Sequence, residues 1–565
     1  MNVAEKKDTK KEDNGNSDAS TQEQSGGFLG IIEKVGNKLP DPFWLFVILA
    51  GGVAVISWIG QTIGMVAHDP ETGEEIAVKS LLNSEGLSRM VSEAVTNFTS
   101  FPPLGVVLAV MLGVAVAEQS GLLSALVRAM VSRVGPRMLT FAVALAGVTG
   151  SVASDAIFVI LIPLGAMAFH AKGRSPIVGA MVAFAASSAG FNASLILNIT
   201  DLLLAGISTS GAQLVDPNYE VTALANIYFV IPSAIVLSLI VTVVTEGYIN
   251  RKAKELVNHD ELNQEELSFD NATGADNGEE GDDSQKDSAE EQSTPKSEEE
   301  QEKENREALE LEPLETKGLI AAGIAFALFL AAYFALIFIP GSPLQGPDGS
   351  AMESPLVTSI AVPITLAFFL VGLVYGLVTK SVTSLADVPE FMARGLKTML
   401  PMIVLFFAVS QFLAWFDWSN LGVFTAISGS ELLQKWDLPP ILLFAGFVIM
   451  VTLVNLLITS GSAQWALMAP VVVPMMMYVG ISPEVTQMLY RIGDSPTNII
   501  TPMSPYFALA LTFLQRYYSK AGVGTLMSLA IPYSMSMLIG WFVFFVIWYL
   551  IGIPLGPGSP MSYPA

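Results

Sequence analysis

Cysteine is absent from the 565 residues, and histidine occurs three times, as His68, His170 and His259. The first absence excludes disulfides, thiolate metal sites and a catalytic thiol. The second leaves no imidazole inside an apolar segment to activate a serine, and no His-Glu-x-x-His motif to hold a catalytic metal. Charge is scarce too: 14% of residues are Asp, Glu, Lys or Arg, against 52% hydrophobic. With a mean hydropathy of +0.54, most of the chain belongs in hydrocarbon rather than water. Within a polar N-terminus expected over 1–38, the residues through Ser25 lack the apolar core and small-residue cleavage site of a signal peptide, so the first apolar segment, from near Pro42, is expected to serve as both signal and anchor.

The net charge of −24 is concentrated in one place. From Glu255 to Glu315 there are 23 Asp or Glu against 4 Lys or Arg, a net of −19. That stretch has Phe269 as its one aromatic and too little apolar surface to offset ordering entropy, so it reads as a disordered linker, 255–316. The remaining body is close to neutral, and nothing in it calls for nucleic acid as a partner.

Seven stretches read as single spans: Pro42 to Met65, Phe101 to Glu118, Leu224 to Tyr248, Leu319 to Ile339, Leu356 to Thr379, Met399 to Trp415 and Thr525 to Ile551. Three more, Met138 to Phe169, Ile177 to Ile207 and Ile441 to Tyr478, are too long for one span and are interrupted by Gly, Ser, Asn, Asp and Pro. A fourth, Val485 to Leu514, carries Arg491 and Asp494 inside it.

Lys and Arg in short loops mark the cytoplasmic side. Arg137 and Lys172 flank Met138 to Phe169 at both ends, which makes that segment a re-entrant hairpin near 138–170 opening inward. Ile441 to Tyr478 has almost no positive flank and suits a second hairpin, near 441–478, opening outward. The expected fold is an all-α polytopic membrane protein of about nine transmembrane helices and two hairpins arranged as inverted repeats. The N-terminus would be cytoplasmic, the halves would occupy 39–254 and 317–552, and a periplasmic tail would follow at 553–565.

The hairpins match: Gly150-Ser151 to Pro163 and Gly461-Ser462 to Pro474 keep identical spacing. Each is followed by an interrupted helix with a polar centre, near 177–207 in one half (Asn192, Asn198, Thr200, Asp201) and near 485–514 in the other (Asp494, Asn498, Thr501, Pro502). Secondary transporters place binding sites at such breaks, where half-helix N-termini offer N–H groups to an anion and free carbonyls suit Na⁺. A gradient-driven carrier of a small organic anion is the function class this pattern indicates.

The motifs Ser460-Gly461-Ser462-Ala463-Gln464-Trp465 and Gly493-Asp494-Ser495-Pro496-Thr497-Asn498, with Ser154-Asp155-Ala156 and Thr200-Asp201, resemble the AbgT family of p-aminobenzoyl-glutamate transporters and antimetabolite exporters. The resemblance spans nearly everything except the polar N-terminus and the acidic linker. It implies nine spans and two hairpins per subunit, a homodimer in the bacterial inner membrane, coupling to Na⁺ or H⁺ without a cofactor, and either uptake of p-aminobenzoyl-glutamate or export of sulfonamides. Its substrate-site positions match Asp201, Ser462, Trp465, Pro483, Arg491, Asp494 and Pro502 here.

Residue chemistry assigns roles beside that resemblance. Asp201 and Asp494 lie in apolar segments, where an ionisable group is costly and therefore functional by default. Arg491 offers positive charge to a solute carboxylate, or else pairs with Asp494 at i,i+3. Trp465 offers a stacking face or simply packs. Ser462 offers a hydroxyl donor or a small turn residue. Asn455, Asn198, Asn192 and Asn498 carry the hard carbonyl oxygens that an alkali cation prefers, or else bond helix to helix, with Asn455 and Asp494 the candidate Na⁺ ligands. Asp155 at the inner hairpin tip is a further ion-coupling candidate or an exposed cap. Another small organic anion, such as a dicarboxylate, is the alternative solute.

Overall fold

The computed structural model describes residues 40–68, 75–132, 134–153, 156–256, 311–351 and 353–564. Residues 1–38, most of the acidic linker, Ser154 and Asp155 lie outside them. The first long helix begins where local chemistry dictates: the Asp41 carboxylate accepts from the Phe43 amide at 2.9 Å, and Pro42 at the first helical position forfeits no hydrogen bond. This helix, α1 (Pro42–Ile63), ends at Gly64, whose φ of 72° glycine adopts at little cost. A two-stranded antiparallel ribbon follows, β1 (Val66–His68) and β2 (Glu75–Ala77), with Ala67 opposite Ile76.

Helices make up the rest. The first half continues with α2 (Pro102–Gln119), α3 (Leu122–Ser132), α4 (Leu139–Thr149), α5 (Ala156–His170), α6 (Pro176–Ala189), α7 (Ile199–Ala212) and α8 (Ile227–Val244). A π turn at Thr245–Ile249 and the helix Asn250–Leu256 prolong α8. The second half holds α9 (Pro313–Phe338), α10 (Ala361–Thr379), α11 (Asp387–Thr398), α12 (Leu400–Trp418) and α13 (Leu421–Trp436). It continues with α14 (Pro440–Asn455), α15 (Gly461–Met477), α16 (Pro483–Asp494), α17 (Pro505–Tyr517) and α18 (Val523–Ile551).

Seven of these helices are long and apolar enough to cross a membrane: α1, α2, α8 with its extension, α9, α10, α12 and α18. They coincide with the seven uninterrupted stretches read from the sequence. Boundaries shift: α9 starts at Pro313 rather than Leu319, α8 with its extension runs on to Leu256, and the stretch from Leu356 splits into a turn at Pro355–Thr358 and a helix that starts only at Ala361. Leu421–Trp436 was not read as a helix, because Ser428, Ser430, Glu431, Gln434 and Lys435 lower its apolar content. The outer helices expose large apolar side chains, Ile320 and Leu328 on α9 among them, as lipid-facing surfaces do.

The four interrupted regions become helix pairs, and their breaks differ in kind. Between α4 and α5 lies a 3-10 turn at Gly150–Ala153, and between α16 and α17 another at Ser495–Thr497 followed by a run of turns. Residues 190–198 and 456–460 separate α6 from α7 and α14 from α15 without regular structure. Every residue of α6 and of α16 is buried, so the core lies along these two helices. Small residues permit this closeness: a Cβ on Gly165 of α5 would meet the Gly179 carbonyl of α6 at 2.7 Å.

Candidate functional site

Helix α16, Pro483-Glu484-Val485-Thr486-Gln487-Met488-Leu489-Tyr490-Arg491-Ile492-Gly493-Asp494, holds three residues of charged type and yet is buried throughout. Such a helix is stable only if its polar groups find partners, since a buried unpaired charge costs several kcal/mol. Ser482 caps it, accepting from the Val485 amide at 3.3 Å, and Pro483 occupies the first helical position. The partners come from the other half of the chain.

Arg491 donates through Nη1 to Asp201 Oδ1 at 2.6 Å and to the Asn192 carbonyl at 3.3 Å. The Arg491 and Asp201 side chains are 1% and 5% exposed, so this is a buried ion pair. Its acidic partner is therefore Asp201, not the i+3 neighbour Asp494. Asp201 is held from behind: it and Asn198 form a capping box, with Asp201 N donating to Asn198 Oδ1 at 3.1 Å and Asn198 N to Asp201 Oδ2 at 2.8 Å. The carboxylate thus sits in the first turn of α7, where the helix dipole favours negative charge.

Asp494 is buried without a cationic partner. Its Oδ2 accepts from Asn192 Nδ2 at 2.9 Å, while Oδ1 has no hydrogen-bond donor among the described residues. The carboxylate lies against the start of α15, so close that a Cβ on Gly461 would stand 3.0 Å from Oδ2. Asn455 at the end of α14 donates to the Asp494 carbonyl, to Thr497 Oγ1 at 2.8 Å and to Asn498 Oδ1 at 3.0 Å, but its own Oδ1 is unpartnered. Asn192 Oδ1 and Gln464 Oε1 are unpartnered as well. Four buried oxygens, one of them a carboxylate's, are thus left without a donor among the described residues, and oxygens of this kind are the ligands that a hard cation prefers.

Trp465 is fully buried. Its ring stacks on Tyr490 with centroids 4.4 Å apart, and its Nε1–H points to Ser208 Oγ at 3.0 Å and the Leu204 carbonyl at 3.3 Å. The indole therefore joins α15 to α7 and α16 and presents no open face. Tyr490 also donates to the Gly461 carbonyl.

The breaks also meet within each half: Asn198 Nδ2 donates to Ser151 Oγ at 3.2 Å, and Thr501 Oγ1 to the Leu456 carbonyl at 3.0 Å. Ser462 is half-buried, with its hydroxyl 3.4 Å from that of Ser460, and Pro502 is half-buried in the turn before α17. Asp201, Trp465, Arg491, Asp494, Asn455, Asn198 and Asn498 thus converge, Pro483 is the first residue at the far end of α16, and Asp155 lies outside the described residues. Tyr490, Gln487, Ser208 and Gln464 were not anticipated. For Gln487 a signal existed, because its spacing from Glu484 and Arg491 places all three on one helical face.

The model of the AbgT putative transporter family matches residues 27–277 and 291–563. The p-aminobenzoyl-glutamate transport protein of Escherichia coli (strain K12) is 34% identical over 536 residues, covering 95% of this chain and 97% of that protein. The crystal structure of the Alcanivorax borkumensis YdaH transporter superposes with a TM-score of 0.79 at 36% identity, over 92% of this chain and 100% of that one. Neisseria gonorrhoeae MtrF, described with a class of antimetabolite efflux pumps, gives 0.82 at 38% identity, over 94% and 100%. Matches of that length and identity, on a chain whose polar breaks meet in its buried core, make this multi-pass membrane protein a member of the AbgT transporter family.

Proposed function

We propose that the chain is an inner-membrane secondary transporter that uses a Na⁺ or H⁺ gradient to move p-aminobenzoyl-glutamate or to export sulfonamide-like antimetabolites. The observation that carries this reading is the charge balance where the helix breaks meet: one guanidinium, Arg491, against two buried carboxylates, Asp201 and Asp494. A formal charge of −1 in a low-dielectric centre favours a cation at the carboxylate that lacks one, and Asp494, with Asn455, supplies hard oxygens for Na⁺ or a carboxylate for a proton. Asn192 and Gln464 border the same position; Asn198 and Asn498 support it by orienting Asp201 and Asn455.

Arg491 Nε–H has no partner, leaving a donor for a glutamate-like carboxylate that would compete with Asp201 for the guanidinium. Cation binding at Asp494 raises the local positive potential, and so favours that anion; this is the coupling. Ser462 and Pro502 sit at the breaks where the solute would pass. The two halves are proposed to lie in opposite orientations in the bilayer, with the N-terminus cytoplasmic and the C-terminus periplasmic, and two chains to pair as a homodimer. No cofactor is required.

Reconstituted vesicles test the reading. Saturable p-aminobenzoyl-glutamate flux that requires a Na⁺ or pH gradient is expected, and solute-binding calorimetry with and without Na⁺ separates the two ions. Dicarboxylate flux with no response to the aminobenzoyl solute would replace this substrate class by the alternative one.

A further inference from the structure

The polar face of α16 extends beyond the core, and its far end holds a carboxylate that the transport reading does not use. Glu484 is 3% exposed, and among the described residues no Lys, Arg or His forms an ion pair with it. Its side-chain donor is Tyr219, on the segment joining α7 to α8, whose hydroxyl lies 3.1 Å from Oε1 and 3.0 Å from Oε2. A buried carboxylate without a counter-cation is favoured in its neutral form by burial and in its charged form by the phenol donor and the helix N-terminus. A lid held by such a group closes over it at the cost of either desolvating a charge or taking up a proton.

The lid is visible in the same contacts. Val221 of that segment is buried, its amide donating to Thr209 Oγ1 at 3.0 Å, and the Tyr219 ring meets Tyr563 of the C-terminal tail edge-on at 5.7 Å. From this end a line of hydrogen bonds runs inward. Asn226 Nδ2 donates to the Glu484 carbonyl at 3.0 Å, Gln487 Nε2 to Asn226 Oδ1 at 2.9 Å, and Ser208 Oγ to Gln487 Oε1 at 2.6 Å. Ser208 then receives Trp465 Nε1–H. Glu484 and Arg491 are seven residues apart, which is about 10 Å along α16 and nearly on one face. The segment that covers Glu484 is therefore tied to the helices that carry the central pair.

We propose that Glu484 is a second proton-binding site of this transporter, and that closure of the 213–226 segment over it is linked to proton uptake. It rests on the transport reading only for its purpose in the cycle. The titratable and charged groups on the elements packed at this end are Tyr219, Asp216 and Glu220 on the segment, Tyr228 at the start of α8 and Tyr563 on the tail. Arg491 and Asp494 lie further along α16 and Asp201 on α7, while α14 and α15 contribute no ionisable residue and α18 only tyrosines.

The absence of cysteine makes the test free of background. Val221→Cys in the full chain, labelled by a maleimide at a series of pH values, reports lifting of the segment. Taking the rate relative to the same reporter with Glu484→Gln, a permanent neutral form, cancels the thiol's own titration. The expected ratio is near one at low pH and rises at least tenfold at high pH, and adding Tyr219→Phe moves the rise upward by about one pH unit, the value of one donor to a charged group. A ratio that stays flat across pH overturns the proposal. Should Glu484→Gln fail to fold, the Tyr219→Phe reporter compared with its parent still decides, since an unmoved profile would also overturn it. Labelling needs no solute, so failure of the substrate assignment and failure of this site are told apart.

Discussion

Asp201 and Arg491, 290 positions apart in the chain, meet at 2.6 Å across the two halves of the protein. Each is positioned independently, Asp201 by its capping box with Asn198 and Arg491 by a helix buried on all sides. The pair closes the core in this arrangement, and anything that competes for the guanidinium loosens the contact between α7 and α16. In the transport mechanism proposed above, this contact would link solute binding to movement of the halves.

Removing the acidic partner leaves a buried cation uncompensated. Asp201→Asn is expected to lower stability by about 3–5 kcal/mol, and adding Arg491→Met to recover most of that loss without restoring transport. Thermal unfolding in detergent, read beside vesicle flux, checks both halves of this statement; full stability in the single variant would show that the pair contributes little.

Asp494→Asn keeps a hydrogen-bonding side chain while deleting the charge that a coupling cation needs. Gradient-driven flux is expected to vanish in a protein that still elutes as a folded species from size-exclusion chromatography. Normal coupled transport by that variant would remove Asp494 from the ion site.

Gly461 matters through the space that it leaves. Alanine is a better helix former than glycine by about 1 kcal/mol, yet its Cβ would stand 3.0 Å from Asp494 Oδ2. Gly461→Ala should therefore weaken ion-dependent solute binding at least tenfold while changing unfolding by less than about 1 kcal/mol. Calorimetry at several Na⁺ or H⁺ concentrations measures the first effect, and a thermal scan the second.

Trp465→Phe retains an aromatic ring against Tyr490 but loses the N–H that serves Ser208 and the Leu204 carbonyl. A loss of about 1–3 kcal/mol in stability is expected, reduced when Ser208→Ala is already present. If the two changes add without coupling, the indole hydrogen bond is not part of the core's cohesion.

At the opposite end of α8, Glu246 of the π turn accepts from Arg174 Nη2 at 2.7 Å and from Asn250 Nδ2 at 2.9 Å, and Arg174 also donates to Thr140 Oγ1 at 2.8 Å. The guanidinium lies over the Phe169 ring, 4.2 Å from its centroid. Because the pair is partly exposed, Glu246→Gln should cost only about 1 kcal/mol, and less at high salt. The unfolding temperature measured at two ionic strengths tests this.

The membrane class, the seven long helices and the four interrupted regions were legible in the sequence because each depends on local composition: an apolar run long enough to cross hydrocarbon, or a Gly, Pro or Asn that cannot continue a helix. Candidate residues were legible for the same reason, since a charge inside an apolar run stands out whatever surrounds it. The partners were not. Arg491 has an acidic neighbour three residues away on its own helix, and only packing determines that it turns to Asp201 instead. Trp465 beside a hairpin tip looks available to a solute until the fold lays Tyr490 against it. Nothing local sets Glu484 apart, because its burial under Tyr219 comes from a segment 265 positions away. Local sequence determined which groups carry charge and where helices break; which group neutralises which is a property of long-range approach, and that the tertiary structure alone decided.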